Sequence, residues 1–415
     1  MHSTETAALE FIDRITQTLD SGKLPISVFL DLSKAFDTLD HQILCKKLQY
    51  YGVTGTALHW FQNYLENRFQ FVEFDGVCSE LLSIKTGVPQ GSILGPLLFI
   101  IYTNDIHMAS SKFESILYAD DTTLVSSLCT FSFISTSQIN EQDLSNNINI
   151  ELNKVYNWLA ANKLSLNILK TKYMLFHYDQ RKLDFNLDLI LNNISIAKTE
   201  EFNFLGLVVQ EHLNWRAHIN KLGNKLTKVI GILKRLSKYI PTCILLLIYN
   251  SLFLSHLNYC ILAWGFSCDR IFILQKKAVR LVCSETFYAH TDPLFKKLNT
   301  LKVHDIFKLR AIKFYFRYVQ NQLPSYFHDI FALPLQTHSY HTRNRETVHL
   351  PKPAKSTSEQ CIRYYIPSLI RHLPTCITEK LYTHSYYGLS NYTKMYFLLQ
   401  YEVVCTVPNC FVCNG

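Results

Sequence analysis

Glycine and proline are scarce, 13 and 12 in 415 residues, which excludes collagen-like, Gly/Ser-linker and Pro-rich architectures. Charged residues reach only 18% against 48% apolar, so a large core can form and wholesale disorder is excluded. Twelve cysteines are too few for a disulfide scaffold. No secretory apolar run opens the chain, because Glu5, Glu10, Asp13, Arg14 and Asp20 interrupt it. The expectation is a protein that is not secreted and works inside the cell, in the nucleus or cytoplasm. Internal repeats and low-complexity tracts are missing too.

Two further absences are local. Between His212 and Cys268 there is no Asp or Glu, and from 239 to 268 there is no formally charged side chain. A membrane-spanning helix needs about 20 mostly apolar residues. Pro241, Asn250, Ser251, His256 and Asn258 interrupt the uncharged run, so it is expected to be a buried helical hairpin, with no membrane partner.

What is present begins with charge. Lys plus Arg (41) less Asp plus Glu (33) gives +8, which suits a polyanionic partner. At roughly 150 residues per domain the length allows two to three domains. Ser3 or Thr4 can cap a helix with Leu9, Ile12, Ile15 and Leu19 on one stripe, and the run from Ile26 to Leu30 follows as a buried strand. Helices are expected behind Asp37, around Leu58 to Leu65, after Pro96, and through Leu144, Ile148, Leu152, Val155 and Leu159. Asp75-Gly76 marks a hairpin, and strands flank Asp120-Asp121. This mixture lacks a regular βαβ period, so the fold class over 1–205 is α+β, followed by mostly helical chain.

Three acidic or loop segments converge on one chemistry. Phe29-Leu30-Asp31-Leu32-Ser33-Lys34-Ala35-Phe36-Asp37 ends the first strand; Gly87-Val88-Pro89-Gln90-Gly91-Ser92-Ile93-Leu94-Gly95-Pro96 follows; Tyr118-Ala119-Asp120-Asp121 forms a tight turn. Carboxylates at strand ends are costly unless a cation meets them, and hard divalent ions take such oxygen ligands. Two ions roughly 4 Å apart can activate a 3′-hydroxyl and stabilise leaving pyrophosphate. Asp31 and Asp120 could hold them if their strands are neighbours. Taken singly, an Asp-Asp pair is usually a solvated turn, and Asp37 reads best as a helix N-cap.

These segments, in this order, resemble the A, B and C motifs of reverse transcriptases of non-LTR (LINE-like) retrotransposons, of the jockey type. A D-like segment at 164–172 and the Phe204-Leu205-Gly206 turn of an E motif follow, so the resemblance spans 2 to about 285. It implies a right-hand polymerase palm, an antiparallel sheet with packed helices, and partial fingers over 1–205; a helical thumb over 206–300; and a mainly helical C-terminal extension of unknown role over 301–415. It implies RNA-directed DNA polymerase activity, an RNA template, a DNA primer or target, deoxynucleoside triphosphates, and two Mg2+ ions, with Mn2+ possible. Since the resemblance starts inside the fingers–palm region, an N-terminally truncated member lacking fingers and endonuclease is expected, with a catalytically inactive, nucleic-acid-binding remnant as the alternative.

Site residues carry over position by position. Asp31, Asp120 and Asp121 would be the catalytic carboxylates and metal ligands, Asp121 the weaker one. Phe36, five residues after Asp31, would exclude a ribose 2′-hydroxyl. Gln90, Gly91 and Tyr118 would touch template and nucleotide. Lys170, or Lys172, would protonate the leaving pyrophosphate. Leu205 and Gly206 would form the primer grip.

Beyond the palm, Lys221, Lys225, Lys228 and Arg235 fall near one helical face, opposite Ile219, Leu222, Leu226, Val229, Leu233 and Leu236. With no acids nearby, the basic row suits phosphate tracking, against the plainer alternative of a solvated face. Cys405, Cys410 and Cys413 lack a fourth ligand and are read as a chance cluster. The oligomeric state is left open.

Overall fold

The computed structural model describes residues 3–126, 141–178, 187–331, 353 and 358–401. Their contacts form two compact units: Ser21–Glu201, and Met1–Asp20 together with Phe202–Gly415. Cys405, Cys410 and Cys413 lie outside the described residues.

The first helix, α1 (Thr4–Asp20), buries Leu9, Ile12, Ile15 and Leu19 on one stripe. Ser3 caps it, its Oγ accepting from the Thr6 N–H at 3.2 Å. Although α1 is next to the strand Ile26–Leu30 in sequence, its contacts assign it to the second unit, not to the unit that holds most of 1–205.

In the unit Ser21–Glu201, β1 (Ile26–Leu30) is buried along its whole length. The helix α2 (His41–Tyr50) follows, then α3 (Gly55–Leu65). The N-cap of α2 is Asp40, whose Oδ1 accepts from the Ile43 N–H at 2.9 Å, which corrects the assignment of that cap to Asp37. Turns cause the offset: the N–H groups of Asp37 and Thr38 both donate to Lys34 O, so the chain is still folding back on itself at 37. Two small hairpin layers come next, β2 (Arg68–Gln70) with β5 (Leu82–Ile84), and inside them β3 (Glu73–Phe74) with β4 (Val77–Cys78). Asp75 and Gly76 both take positive φ, 50° and 76°, the geometry that the Asp-Gly pair was expected to supply.

The helix α4 (Leu94–Thr103) and the hairpin β6 (Phe113–Tyr118) and β7 (Asp121–Ser126) complete the centre. α5 (Glu141–Ala161) buries Leu144, Ile148, Leu152, Val155 and Leu159, the stripe read from sequence. β8 (Lys172–Leu175), a small hairpin of β9 (Ile190–Leu191) and β10 (Ile194–Ser195), and β11 (Ala197–Lys198) follow. The main sheet has the order β11-β8-β1-β7-β6, antiparallel except between β11 and β8. Leu98, Phe99 and Tyr102 of α4 pack with the α5 stripe in one core with Ile26, Val28 and Leu30. The unit is therefore α+β with a largely antiparallel sheet.

Among its described residues the second unit is helical apart from the hairpin of β12 (Glu201–Phe204) and β13 (Leu207–Gln210). α6 (Arg216–Leu236) is followed by α7 (Thr242–Ile248), a π-helical segment Tyr249–Leu254, α8 (Ser255–Asn258) and α9 (Ile261–Trp264). Along this uncharged stretch Leu245, Tyr249, Phe253 and Leu257 are buried while Leu247 and Leu252 are exposed, so it is a one-sided helical segment, broken at Cys260, where φ is 46°. Among the described residues no single helix is long and apolar enough to cross a membrane; the pair Thr242–Asn258 and Ile261–Ser267 meets length and composition together, bent by 57°. α10 (Asp269–Val282), α11 (Thr291–Lys297) and α12 (Val303–Val319) continue. α13 (Ile362–Arg371), α14 (Thr375–Thr378), α15 (Lys380–Thr383) and α16 (Tyr386–Leu399) complete the unit. Asp13 ties α1 into it: its carboxylate, fully buried, accepts from Arg363 Nη2 and Tyr326 OH at 2.8 Å and from Gln17 Nε2 at 2.6 Å.

Candidate active site

The register of the central strands assembles the carboxylates. Leu30 pairs with Thr122, so Asp31, the residue that follows β1, comes beside Asp121 at the start of β7. Tyr118 pairs with Asp121 across the hairpin, leaving Ala119 and Asp120 as a two-residue turn. Ala119 takes φ 52°, a left-handed conformation that costs a residue with a Cβ roughly 1–2 kcal/mol. Such strain at a tight turn persists where the surrounding structure holds it.

Asp121 senses its two neighbours. Burial first, then the charges of Asp120 and Asp31, push the Asp121 carboxyl above the ordinary Asp range. Lys170 Nζ lies 3.9 Å from Asp31 Oδ2, but its side chain is 71% exposed, so its charge is largely screened. Carboxylate oxygens are the hard donors a divalent cation takes, and the register brings Asp31, Asp120 and Asp121 to one end of the sheet, although their oxygens do not all converge within 4.8 Å of one another.

Backbone contacts dock the D-like segment on the same corner. Asn167 N–H donates to Asp31 O at 2.8 Å, Ser33 N–H to Ser165 O at 2.8 Å, and Leu32 bridges Leu166. This places Lys170 at the carboxylates, whereas Lys172 lies within β8, paired with Phe29. Half-buried Phe36 stands with its ring 4.7 Å from that of Phe99, and its carbonyl accepts from the Val88 N–H. The segment 87–90 is thus sewn onto 36–41. Gly87 N–H donates to Leu39 O, His41 Nε2 lies 2.7 Å from Gly87 O, and Gln90 Nε2 donates to Asp37 Oδ1 at 3.0 Å. Gly87 has no room for a side chain: with φ at +86°, a Cβ would stand 2.7 Å from the Asp37 backbone. Gly91 is the reverse case, with φ +80° and open space around it.

In the helical unit, the turn between β12 and β13 puts Leu205 at φ 45° and Gly206 at φ 82°. Tyr259 covers that turn, donating its hydroxyl to Leu205 O at 2.5 Å, and a Cβ on Gly206 would meet its ring at 3.3 Å. On α6, Lys221, Lys225, Lys228 and Arg235 are exposed, while Ile219, Leu222, Leu226, Val229 and Leu233 are buried; Leu236 is only partly so.

With this geometry in hand, comparison with known proteins is informative. A family model described as reverse transcriptase (RNA-dependent DNA polymerase) matches residues 1–209. The chain belongs to the reverse transcriptase family. It is 25% identical over 323 residues to a probable RNA-directed DNA polymerase from transposon X-element of Drosophila melanogaster, covering 73% of this chain and 33% of that protein. It is also 25% identical over 332 residues to the RNA-directed DNA polymerase from mobile element jockey of Drosophila funebris, covering 76% and 34%. The chain thus spans about a third of the length of these relatives. A telomerase structure from Candida albicans, with a fragment of telomeric RNA, aligns over 78% of this chain and 53% of that one at 12% identity, but its TM-score of 0.33 carries no argument. Reverse transcriptases use divalent metal ions and bind a nucleic-acid template and primer.

In this member of the family, three contributions are not legible in the sequence. Lys34, Arg68 and Lys85 line a cleft of about 580 Å³ beside Asp37 and Gln90 in the palm-bearing unit. Their signal was present as isolated cations between apolar strands, but nothing in their spacing said that β2 and β5 would bring them together. His218 is the second: its Nδ1 accepts from the Val208 N–H at 3.3 Å, bracing the β12–β13 hairpin. Tyr259 is the third. It lies inside the uncharged stretch, where the missing charge distracted from a hydroxyl.

Proposed function

We propose that this chain is the palm and nucleic-acid-gripping part of an RNA-directed DNA polymerase of a non-LTR retrotransposon, working inside the cell and extending a DNA primer along an RNA template with deoxynucleoside triphosphates. The observation that carries the proposal is the strand register that sets Asp31 beside the Ala119–Asp120 turn and Asp121. Asp31 and Asp120 would hold two Mg2+ ions, or Mn2+, with Asp121 a weaker ligand. Bound there, the ions would supply activation of the primer hydroxyl and charge compensation at the leaving pyrophosphate.

The remaining work falls to side chains. The primer 3′-oxygen attacks the α-phosphorus and the bond to pyrophosphate breaks; Lys170, beside Asp31, donates a proton to the departing oxygen. Phe36, held by Phe99 on one side, presents its ring to the incoming sugar and excludes a 2′-hydroxyl by volume. The open backbone at Gly91, with Gln90 and Tyr118, receives the templating pair. Leu205 and Gly206 support the primer end. Lys221, Lys225, Lys228 and Arg235 track backbone phosphate.

Primer extension on an RNA template with deoxynucleotides and Mg2+ tests the proposal, comparing the chain with Asp120→Asn. Extension by the parent, its loss in the variant, and unchanged template binding are expected. Equal extension by both would remove the carboxylate assignment. Binding without extension by either would leave only a nucleic-acid-holding role.

A further inference from the structure

A second cavity, of about 530 Å³, lies within the helical unit, lined from α7 and α8, the π-helical segment, α12, α16 and the 298–301 turn. Its size is that of ordinary ligand pockets. Its wall is of two kinds. Leu246, Leu254 and their neighbours make an apolar side, whereas Arg310, Lys313 and Lys394 bring three cations, and no acid lines the cavity. None of the three is in an ion pair among the described residues; Lys313 lies 4.4 Å from the Tyr386 ring centroid. Glu5 is close enough to feel Arg310 and Lys313, yet its Oε1 reaches no partner, and burial pushes its carboxyl up.

The π-helix points to the same place independently. Such segments are rare and frequently stand at functional sites, because the extra residue re-aims side chains. Here Tyr249–Leu254 delivers Asn250 and Leu254 to the cavity wall, with Asn258 one turn further on. An asparagine amide both donates and accepts, which suits the edge of a base. Cations without acids exclude a metal ion as the occupant, and a purely apolar ligand would strand the three charges away from water.

We propose that this cavity binds a nucleoside phosphate, either a free nucleotide or one unit of a ribonucleic-acid strand. The phosphate meets Arg310, Lys313 and Lys394, the base meets the leucine wall, and Asn250 reads its edge, while the Asn258 amide is held by Leu254 O. The inference does not depend on the polymerase reading, and EDTA separates the two by removing the ions that the palm would need.

The test is equilibrium binding to the full chain in EDTA, with AMP, a short 5′-phosphorylated oligouridylate, and adenosine as probes. Saturable binding of a phosphate-bearing probe, much tighter than adenosine, is expected. AMP bound as tightly as the oligomer identifies a free nucleotide; binding of the oligomer alone identifies a strand. Lys394→Gln and Arg310→Gln should each weaken binding about tenfold, the loss of one charge-assisted hydrogen bond. Leu254→Trp should abolish binding by filling the cavity while leaving every charge in place, and Lys394→Gln, being partly exposed, covers the case in which Leu254→Trp does not fold. Absence of saturable binding, or equal affinity in the parent, Leu254→Trp and Lys394→Gln, would overturn the proposal.

Discussion

Asp31 and Asp13 are the same residue in two opposite settings. In the unit Ser21–Glu201, Asp31 stands near Asp120 and Asp121, with the exposed Lys170 beside it. In the helical unit Asp13 is fully buried, with Arg363, Tyr326 and Gln17 all donating to it. One group of acids is left short of positive charge, ready for something to arrive; the other is closed and complete. A set of acids that repel one another costs stability, which the rest of the fold must offset.

The largest effect should come from opening the closed network. Asp13→Ala strands Arg363 beside a cavity without its counter-charge, and breaking a buried pair from one side costs about 3–5 kcal/mol. Urea unfolding of the whole chain should show the helical transition moving to lower denaturant, with the palm transition staying in place. If both transitions move together, the two units do not unfold separately and the contrast drawn above fails.

Protonation sharpens the contrast through His218. Burial first, then Lys221 and Lys225, lower its pKa to about 4, and its Nδ1 must be free of a proton to accept from Val208. The unfolded chain takes up that proton near pH 6.5 and the folded chain only near 4, so the helical unit is at full strength above 6.5 and weakens as pH falls toward 4. The loss amounts to roughly 3 kcal/mol. Unfolding midpoints measured across that window should fall for the parent and stay nearly level for His218→Gln.

Asp121 should behave in the opposite sense, and more weakly. Its folded carboxyl holds a proton more readily than the unfolded one, so the ionised form is a liability near neutrality that lessens as pH falls through the raised pKa. Asp121→Asn should therefore raise the palm unit's melting temperature slightly at neutral pH while reducing primer extension. A fall in melting temperature would mean that the carboxylate is satisfied by contacts the electrostatics does not reveal.

The difference between the two units also explains what could be read from sequence. The candidate site lies on short contiguous segments, each at a strand end or turn, so Asp31, Gln90 and Asp120 could be proposed from sequence alone, and the five apolar residues expected on the α5 stripe are all buried, with Ser145 and Glu151 buried beside them. Asp13 and Arg363 are 350 residues apart, and a single acid in a first helix carries no mark of its partner. The cap of α2 was misplaced by three residues because two tight turns at Lys34 intervene, and their hydrogen bonds leave no trace in hydrophobic period. The thumb-like helix α6 was readable on both faces, since an apolar stripe forces the remaining residues outward.

That helix gives the prediction with the least effect on stability and the clearest bearing on function. Lys221, Lys225 and Lys228 are exposed on a helix whose other face is core, and the only side-chain partner the described residues give any of them is Asn203, which Lys221 reaches at 3.3 Å. Replacing all three by Gln should barely shift unfolding, because exposed charges of this kind contribute little. If the row meets phosphate, affinity for an RNA–DNA hybrid should fall about equally for every sequence, and the slope of log affinity against log salt should shrink by up to about three, roughly one per lost contact. The readout is hybrid binding by parent and triple variant over a salt series. Superimposed lines would show the row to be solvated only, and nucleic-acid grip would then have to be sought elsewhere in the helical unit, beginning with the cations around Arg310.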